Sequence, residues 1–107
     1  MQRFGQVLGM PAENLEEYTR LHAAVWPEVL QTITDCNIRN YSIFVRGTRL
    51  FAYFEYHGTD YAADMAKMAA DPKTQAWWAI NEPLQAPLPD RAPGEWWAGM
   101  RVICHTD

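Results

Sequence analysis

Residues Asn14 to Cys36 read NLEEYTRLHAAVWPEVLQTITDC and contain the strongest structural signal in the chain. Their apolar and aromatic side chains recur every three or four residues, at Leu15, Tyr18, His22, Val25, Val29, Ile33 and Cys36. This period is typical of a helix that buries one face. Pro27 lies inside the stretch, where its ring removes the hydrogen bond to the carbonyl of Ala23. We therefore expect a helix that kinks or breaks in two at Pro27.

Segments typical of β-strands lie on both sides of this helix. Residues 3–10 end at Pro11, and residues 38–45 and 50–56, rich in aromatic and β-branched types, flank a polar turn at 46–49. The first segment predicts a strand and the other two predict a β-hairpin.

Two further helices and a last strand are expected in the second half of the chain. Thr59 is suited to cap a helix whose stripe is Tyr61, Met65, Met68 and Ala69, and Asp71-Pro72 is suited to start another. Four prolines in residues 83–94 predict an extended connection that is poor in hydrogen bonds. Residues 95–105 then predict the final strand.

The predicted order is β-α-β-β-α-(α)-β within one domain, residues 1–107. This order is typical of an α+β, ferredoxin-like split βαβ fold, in which an antiparallel sheet carries its helices on one face, as in dimeric α/β barrel proteins. Both sheet faces have apolar positions, for example Phe51 and Tyr53 against Ala52 and Phe54. We therefore expect a homodimer, formed through the uncovered face or by edge-strand exchange.

Composition excludes several classes of protein. A chain of 107 residues with 49% hydrophobic residues and a net charge of −4 is typical of a single globular domain, without the cationic surface that binds nucleic acid. No apolar run is long enough to span a membrane, and the first 17 residues lack the cationic segment, apolar run and cleavage site of a signal peptide, so we expect none. Cys36 and Cys104 do not have the spacing of a metal site, so we expect two buried thiols in a cytoplasmic protein.

Tyr18, His22 and Trp26 follow one another at intervals of four residues, which places them on one helix face. Histidine is the side chain whose ordinary pKa, about 6.5, leaves both protonation states populated near neutrality. This spacing indicates a candidate acid/base flanked by aromatic rings. The alternative is a structural histidine that donates to a backbone carbonyl.

Two tandem pairs, Trp77-Trp78 and Trp96-Trp97, are a second unusual feature. Neighbouring side chains diverge in a helix or strand, so at least one member of each pair should face a pocket, a partner or solvent. An indole ring has an apolar face that suits the C–H surface of a sugar and an N–H that donates to a hydroxyl. The alternative is that all four rings pack in the core and in a dimer interface.

The motifs of other chemistries are absent. The sequence has no HExxH, no GxSxG, no GxGxxG and no P-loop. We therefore expect no metal and no bound nucleotide or other cofactor, which favours simple proton transfer.

The chain resembles the L-rhamnose mutarotase family, small dimeric proteins that interconvert the anomers of a 6-deoxy sugar. The matching segments are EEYTRLHAAVWPEV at 16–29, NYSIF at 40–44, LFAYFE at 50–55 and TQAWW at 74–78. The resemblance implies that His22 is the catalytic acid/base and donates a proton to the ring oxygen, with a water or a tyrosine completing the relay. It implies that Tyr18, Tyr41, Trp77 and Trp78 bind the sugar.

The tail, QAPLPDRAPGEWW at 85–97, departs from the rhamnose pattern. The expected substrate is therefore a monosaccharide, either L-rhamnose or L-fucose. Other classes with the same fold outline are cofactor-free monooxygenases and haem-binding dimers, and a sugar-binding module without turnover is a further alternative.

Overall fold

The computed structural model describes residues 1–107 and has the predicted order of elements. The strands are β1 (Gln2–Gly9), β2 (Ile38–Arg46), β3 (Arg49–Tyr56) and β4 (Ala98–Met100). The helices are α1 (Leu15–His22), α2 (Pro27–Asp35), α3 (Tyr61–Ala70) and α4 (Pro72–Asn81), with short 3₁₀ turns at Ala12–Asn14 and Glu82–Leu84. No helix combines the length and the apolar character that crossing a lipid bilayer requires.

The long amphipathic stretch breaks in two, as its proline predicts. Helix α1 ends at His22, and Pro27 begins α2 as its first residue, where a missing N–H costs nothing. Trp26, the residue before the proline, has the extended backbone that this position favours. The apolar stripe continues across the break, with Tyr18, Val29 and Cys36 buried.

The four strands form one antiparallel sheet in the order β2-β3-β1-β4. Strand β3 lies between β1 and β2, which is the split βαβ arrangement that the sequence predicts. The helices cover one face. There Leu8, Leu50 and Tyr18 form one buried cluster, and Ile38, Phe54 and Tyr56 form another beneath α2 and α3.

The opposite face carries a band of apolar side chains. Val7, Phe44 and Phe51 are neighbours across three strands, and alternation places them away from the helices. Phe44 is 60% exposed, and Met100 on β4 is also exposed. The expectation of apolar residues on both faces is confirmed.

Three local predictions are wrong. The final strand covers only Ala98–Met100, because the chain leaves the edge of β1 after the pair of Met100 with Gly5, and residues 101–107 are exposed without ladder hydrogen bonds. Cys104 lies in that tail and is exposed, whereas Cys36 is buried as predicted. The cap of α3 is Asp60, whose carboxylate accepts from the Ala63 N–H at 3.1 Å, and not Thr59.

The proline-rich connection is more ordered than predicted. It begins with a 3₁₀ turn, and its Ala86 N–H donates to the Gly9 carbonyl at 2.9 Å. The Asn14 side chain donates to the Leu84 carbonyl at 3.0 Å. These bonds tie the connection to the end of β1 and to the start of α1.

Candidate active site

An aromatic cluster forms where α1 meets α4. The Tyr18 and His22 rings lie one helical turn apart with centroids 4.1 Å from each other. Trp77 of α4 packs edge-on against His22 at 5.3 Å, and Trp26 packs against Trp77 at 5.2 Å. The three residues spaced by four in the sequence therefore share one cluster, to which a second helix adds Trp77.

The hydrogen bonding of His22 determines its tautomer. Its Nδ1 lies 2.9 Å from the Tyr18 carbonyl oxygen, which only accepts, so Nδ1 carries the hydrogen and donates it. In the neutral ring Nε2 therefore has the lone pair, and no protein group occupies it with a hydrogen bond. His22 thus presents a free base in one fixed orientation.

The burial of His22 favours its neutral form. Desolvation lowers the pKa of the imidazole below 6.5, and the bond to the Tyr18 carbonyl opposes this effect in part. The ring is therefore mostly uncharged at neutral pH, which is the state in which Nε2 accepts a proton.

Tyr41 reaches the helix-covered face of the sheet through a β-bulge. Asn40 and Tyr41 together oppose the single residue Phe54, and Asn40 has a left-handed backbone with φ 53°. The Tyr41 ring stacks on Phe54 with centroids 5.6 Å apart. Although 42% of Tyr41 is exposed, desolvation raises the pKa of its hydroxyl, and Tyr18 and Tyr61 add to that effect, so it stays protonated.

The members of each tryptophan pair diverge, as expected. Trp77 is buried in the aromatic cluster, whereas Trp78 is 36% exposed and has no aromatic partner. Trp97 packs against the cluster that contains Tyr18, whereas the Trp96 indole donates to Gln85. Of the residues predicted for the site, Trp78 and Tyr41 have no ring contact with this cluster, and Tyr41 stacks on Phe54 instead.

Two polar residues near the cluster, Gln85 and Asn81, were not predicted from the sequence. The Gln85 amide donates to the Tyr18 hydroxyl at 3.1 Å across 67 residues of sequence, and no local pattern signals such a contact. Asn81 follows Trp77 by one turn and donates to its carbonyl, while its Oδ1 is the one buried side-chain polar atom without a partner. In the sequence, Gln85 and Asn81 lie close to prolines and resemble ordinary loop and helix-cap residues, so neither indicates a functional role.

No group of three or more His, Cys, Asp and Glu side chains converges as a metal site would require. A shallow hollow of about 400 Å³ lies elsewhere, between Val7 and Phe51 of the uncovered sheet face and residues 88–90. His22 does not line it, so this hollow is separate from the aromatic cluster.

The fold is similar to that of a solved structure. The crystal structure of an L-rhamnose mutarotase from Formosa agariphila aligns over the full length of both chains with a TM-score of 0.78 and 20% identity. At this identity the likeness shows a shared fold.

Sequence comparisons identify the family. The L-fucose mutarotase of Xanthomonas campestris is 40% identical over 103 residues, which cover 91% of this chain and 82% of that protein. The L-rhamnose mutarotase of Listeria monocytogenes (strain F2365) is 32% identical over 87% of this chain and 88% of its own length. A model of the L-rhamnose mutarotase family matches residues 3–106. The chain therefore belongs to the L-rhamnose mutarotase family.

Proposed function

We propose that this sugar mutarotase interconverts the α and β anomers of a 6-deoxy-L-hexose, with L-fucose as the first candidate. An identity of 40% to a relative named L-fucose mutarotase supports that choice. Relatives named L-rhamnose mutarotase are 28% to 34% identical, and the family model carries that name, so L-rhamnose is the second candidate. The reaction makes the protein an isomerase.

The observation that carries the mechanism is the free Nε2 of a neutral His22 among aromatic rings. Nε2 accepts the proton of the anomeric hydroxyl as the C1–O1 bond becomes a carbonyl and the bond from C1 to the ring oxygen breaks. The imidazolium then donates that proton to the former ring oxygen. Rotation about C1–C2 and the reverse sequence on the other carbonyl face give the second anomer.

This order of proton transfers refines the role that the family resemblance implies for His22. A donor to the ring oxygen must carry a proton, but the lowered pKa leaves His22 unprotonated at neutral pH. We therefore assign His22 first as base and then as acid. The hydroxyl of Tyr18 or Tyr41, or a water, stabilises the sugar oxygen, O1 or the ring oxygen, that is not exchanging a proton with His22 at that step. Such acid/base catalysis contributes on the order of 10²- to 10⁴-fold.

The aromatic residues supply the binding surface. We assign Trp77 and Trp78 to the apolar C–H face of the sugar, and Tyr18 and Tyr41 to its hydroxyl groups. The unpaired Asn81 Oδ1, one turn from Trp77, suits a sugar hydroxyl as donor because a buried acceptor without a partner is costly.

Polarimetry on freshly dissolved pure anomers tests the function. We expect acceleration of mutarotation for L-fucose and L-rhamnose, which differ in configuration at C2 and C4, and a smaller effect with D-glucose as the control sugar. Binding seen in saturation-transfer NMR without acceleration of either sugar would identify a binding module instead. An intense visible absorption band in the purified protein would point to haem.

We further propose that the protein works as a homodimer in the cytoplasm. The exposed apolar band around Phe44 and Phe51 supports the dimer. The unpaired thiols of Cys36 and Cys104 are in keeping with a reducing compartment.

A further inference from the structure

Gln85 is held at a fixed place beside the aromatic cluster. The residues before and after it are both anchored, Leu84 by the Asn14 amide and Ala86 by the Gly9 carbonyl. A side chain at Gly9 would collide with the Ala86 carbonyl oxygen, so this close approach depends on glycine. The Gln85 side chain therefore projects from a backbone that has little freedom to move.

A chain of hydrogen bonds runs from Trp96 through Gln85 to Tyr18. The Trp96 Nε1 donates to Gln85 Oε1 at 2.7 Å, and Gln85 Nε2 donates to the Tyr18 hydroxyl oxygen at 3.1 Å. The direction of this chain follows from chemistry, because an indole nitrogen only donates. The Gln85 oxygen must face Trp96, so its NH₂ group must face Tyr18.

This direction determines what the Tyr18 hydroxyl can do. An amide NH₂ only donates, so the Tyr18 oxygen accepts and its own hydrogen remains for another acceptor. No protein group accepts that hydrogen, although Tyr18 is only 4% exposed. A buried hydroxyl with an unused hydrogen, next to His22, is suited to an oxygen of a bound ligand.

We propose that Gln85 and Trp96 are positioning residues that hold Tyr18 as a hydrogen-bond donor toward an oxygen of the sugar. This inference rests on the proposed mutarotase activity. Tyr18 touches the substrate, Gln85 acts through Tyr18, and Trp96 acts through Gln85 by orienting its amide. The donated hydrogen bond is most useful at the ring oxygen, where negative charge develops as the ring opens.

Gln85→Glu tests the direction of the chain. The new carboxylate has the same shape but only accepts, so it takes the Tyr18 hydrogen away from the sugar. We expect kcat/KM at pH 7.5 to fall about tenfold or more, as for the loss of one hydrogen bond in the transition state. Protonation of the carboxyl restores a donor, and an ordinary glutamate titrates near pH 4.3, so the ratio of wild-type to variant kcat/KM should shrink below about pH 5.

Two comparisons separate this effect from general damage. Gln2→Glu introduces the same charge at an exposed site with no side-chain hydrogen bond and should match the wild type. Gln85→Met removes both bonds but leaves the Tyr18 hydrogen free, so it should lose less kcat/KM than Gln85→Glu. Trp96→Phe should lower kcat/KM, and adding it to Gln85→Met should cost nothing further because Trp96 acts through Gln85.

Defined outcomes overturn the proposal. A Gln85→Glu enzyme within about twofold of wild type at pH 7.5, or one that loses no more kcat/KM than Gln85→Met, rejects it while leaving the mutarotase function intact. If Gln85→Glu does not fold, additive losses in Trp96→Phe and Gln85→Met reject it equally. A wild-type protein that accelerates neither sugar rejects the proposed function and this inference together, and polarimetry on the wild type distinguishes the two failures.

Discussion

His22 combines the features that a proton shuttle needs in a single side chain. Its Nδ1 is committed to the Tyr18 carbonyl, its Nε2 is free, and its partial burial lowers its pKa. The bond to a backbone carbonyl is the same contact that a structural histidine would make. This contact is therefore expected of a proton shuttle and of a structural histidine alike. An experiment that removes the free Nε2 separates the two roles.

His22→Asn keeps a polar side chain of similar reach but removes the titrating group. We expect the melting temperature to stay near that of the wild type and the rate of anomer exchange to fall by roughly 10²-fold or more. Polarimetry and thermal unfolding measure the two quantities. His105→Asn, in the exposed tail, is the matched control and should change neither. A variant of His22 that is less stable but fully active would show a structural histidine.

The pH dependence follows from the direction of the His22 shift. Because we assign the neutral ring as the base, kcat/KM should be flat at and above pH 7 and should fall as the pH drops through a pKa below 6.5. Stability changes in the same direction: the unfolded chain binds this proton more readily, so the free energy of unfolding decreases as the pH falls below about 6.5. A midpoint of activity above pH 7 would contradict the assignment.

Among the elements, β2 contains the β-bulge at Asn40, which decides the sheet face on which Tyr41 lies. Regular alternation from Ile38 would put Tyr41 on the uncovered face, with Ser42 and Phe44 under the helices. The bulge at Asn40 reverses this, so that Tyr41 stacks on Phe54 and Ile43 packs near Tyr18. The Asn40 amide donates to Glu55 at 3.0 Å and links the bulge to β3.

The bulge predicts a contrast between two substitutions of Asn40. Asn40→Ala should lose about 1 kcal/mol of unfolding free energy, because alanine lacks the short polar side chain with which asparagine tolerates the left-handed region. Asn40→Gly removes the same amide but adopts this conformation freely, so it should be more stable than the alanine variant. Urea unfolding measures the difference, and KM for the sugar should rise more in the alanine variant. Equal stability of the two variants would show that the left-handed backbone is not under strain.

At the scale of the whole molecule, one sheet face lacks a cover. The helices bury the side that carries Leu50 and Phe54, whereas Phe44 and Phe51 lie on the side without helices. A contiguous apolar band of this kind indicates a protein interface, and a second copy of the chain presents the same band.

Phe44→Glu tests this interface. We expect the wild type to sediment as a dimer at micromolar concentration and the variant as a monomer, because a charge in an apolar interface would lose its hydration. Leu30→Glu makes the same change on the exposed surface of α2 and should remain dimeric. A monomeric wild type would refute the dimer.

Four features were predictable from residue order alone: the order of elements, the break at Pro27, the aromatic spacing around His22 and the family. These features depend on local chemistry: helical period, proline geometry and residue type at fixed offsets. The errors of the sequence prediction were also local. Asp60 caps α3 instead of Thr59, and the last strand ends at Met100, where its pairing with β1 stops.

The assembly of the candidate site could not be predicted from residue order. The tautomer of His22, the face on which Tyr41 lies and the hydrogen bonds from Trp96 through Gln85 to Tyr18 all depend on groups that meet in space. Gln85 and Tyr18 are 67 residues apart, and a bulge of one residue reverses every later side chain of β2. Periodicity describes neighbours along the chain, whereas hydrogen-bond direction and strand register are set by partners that only folding brings together.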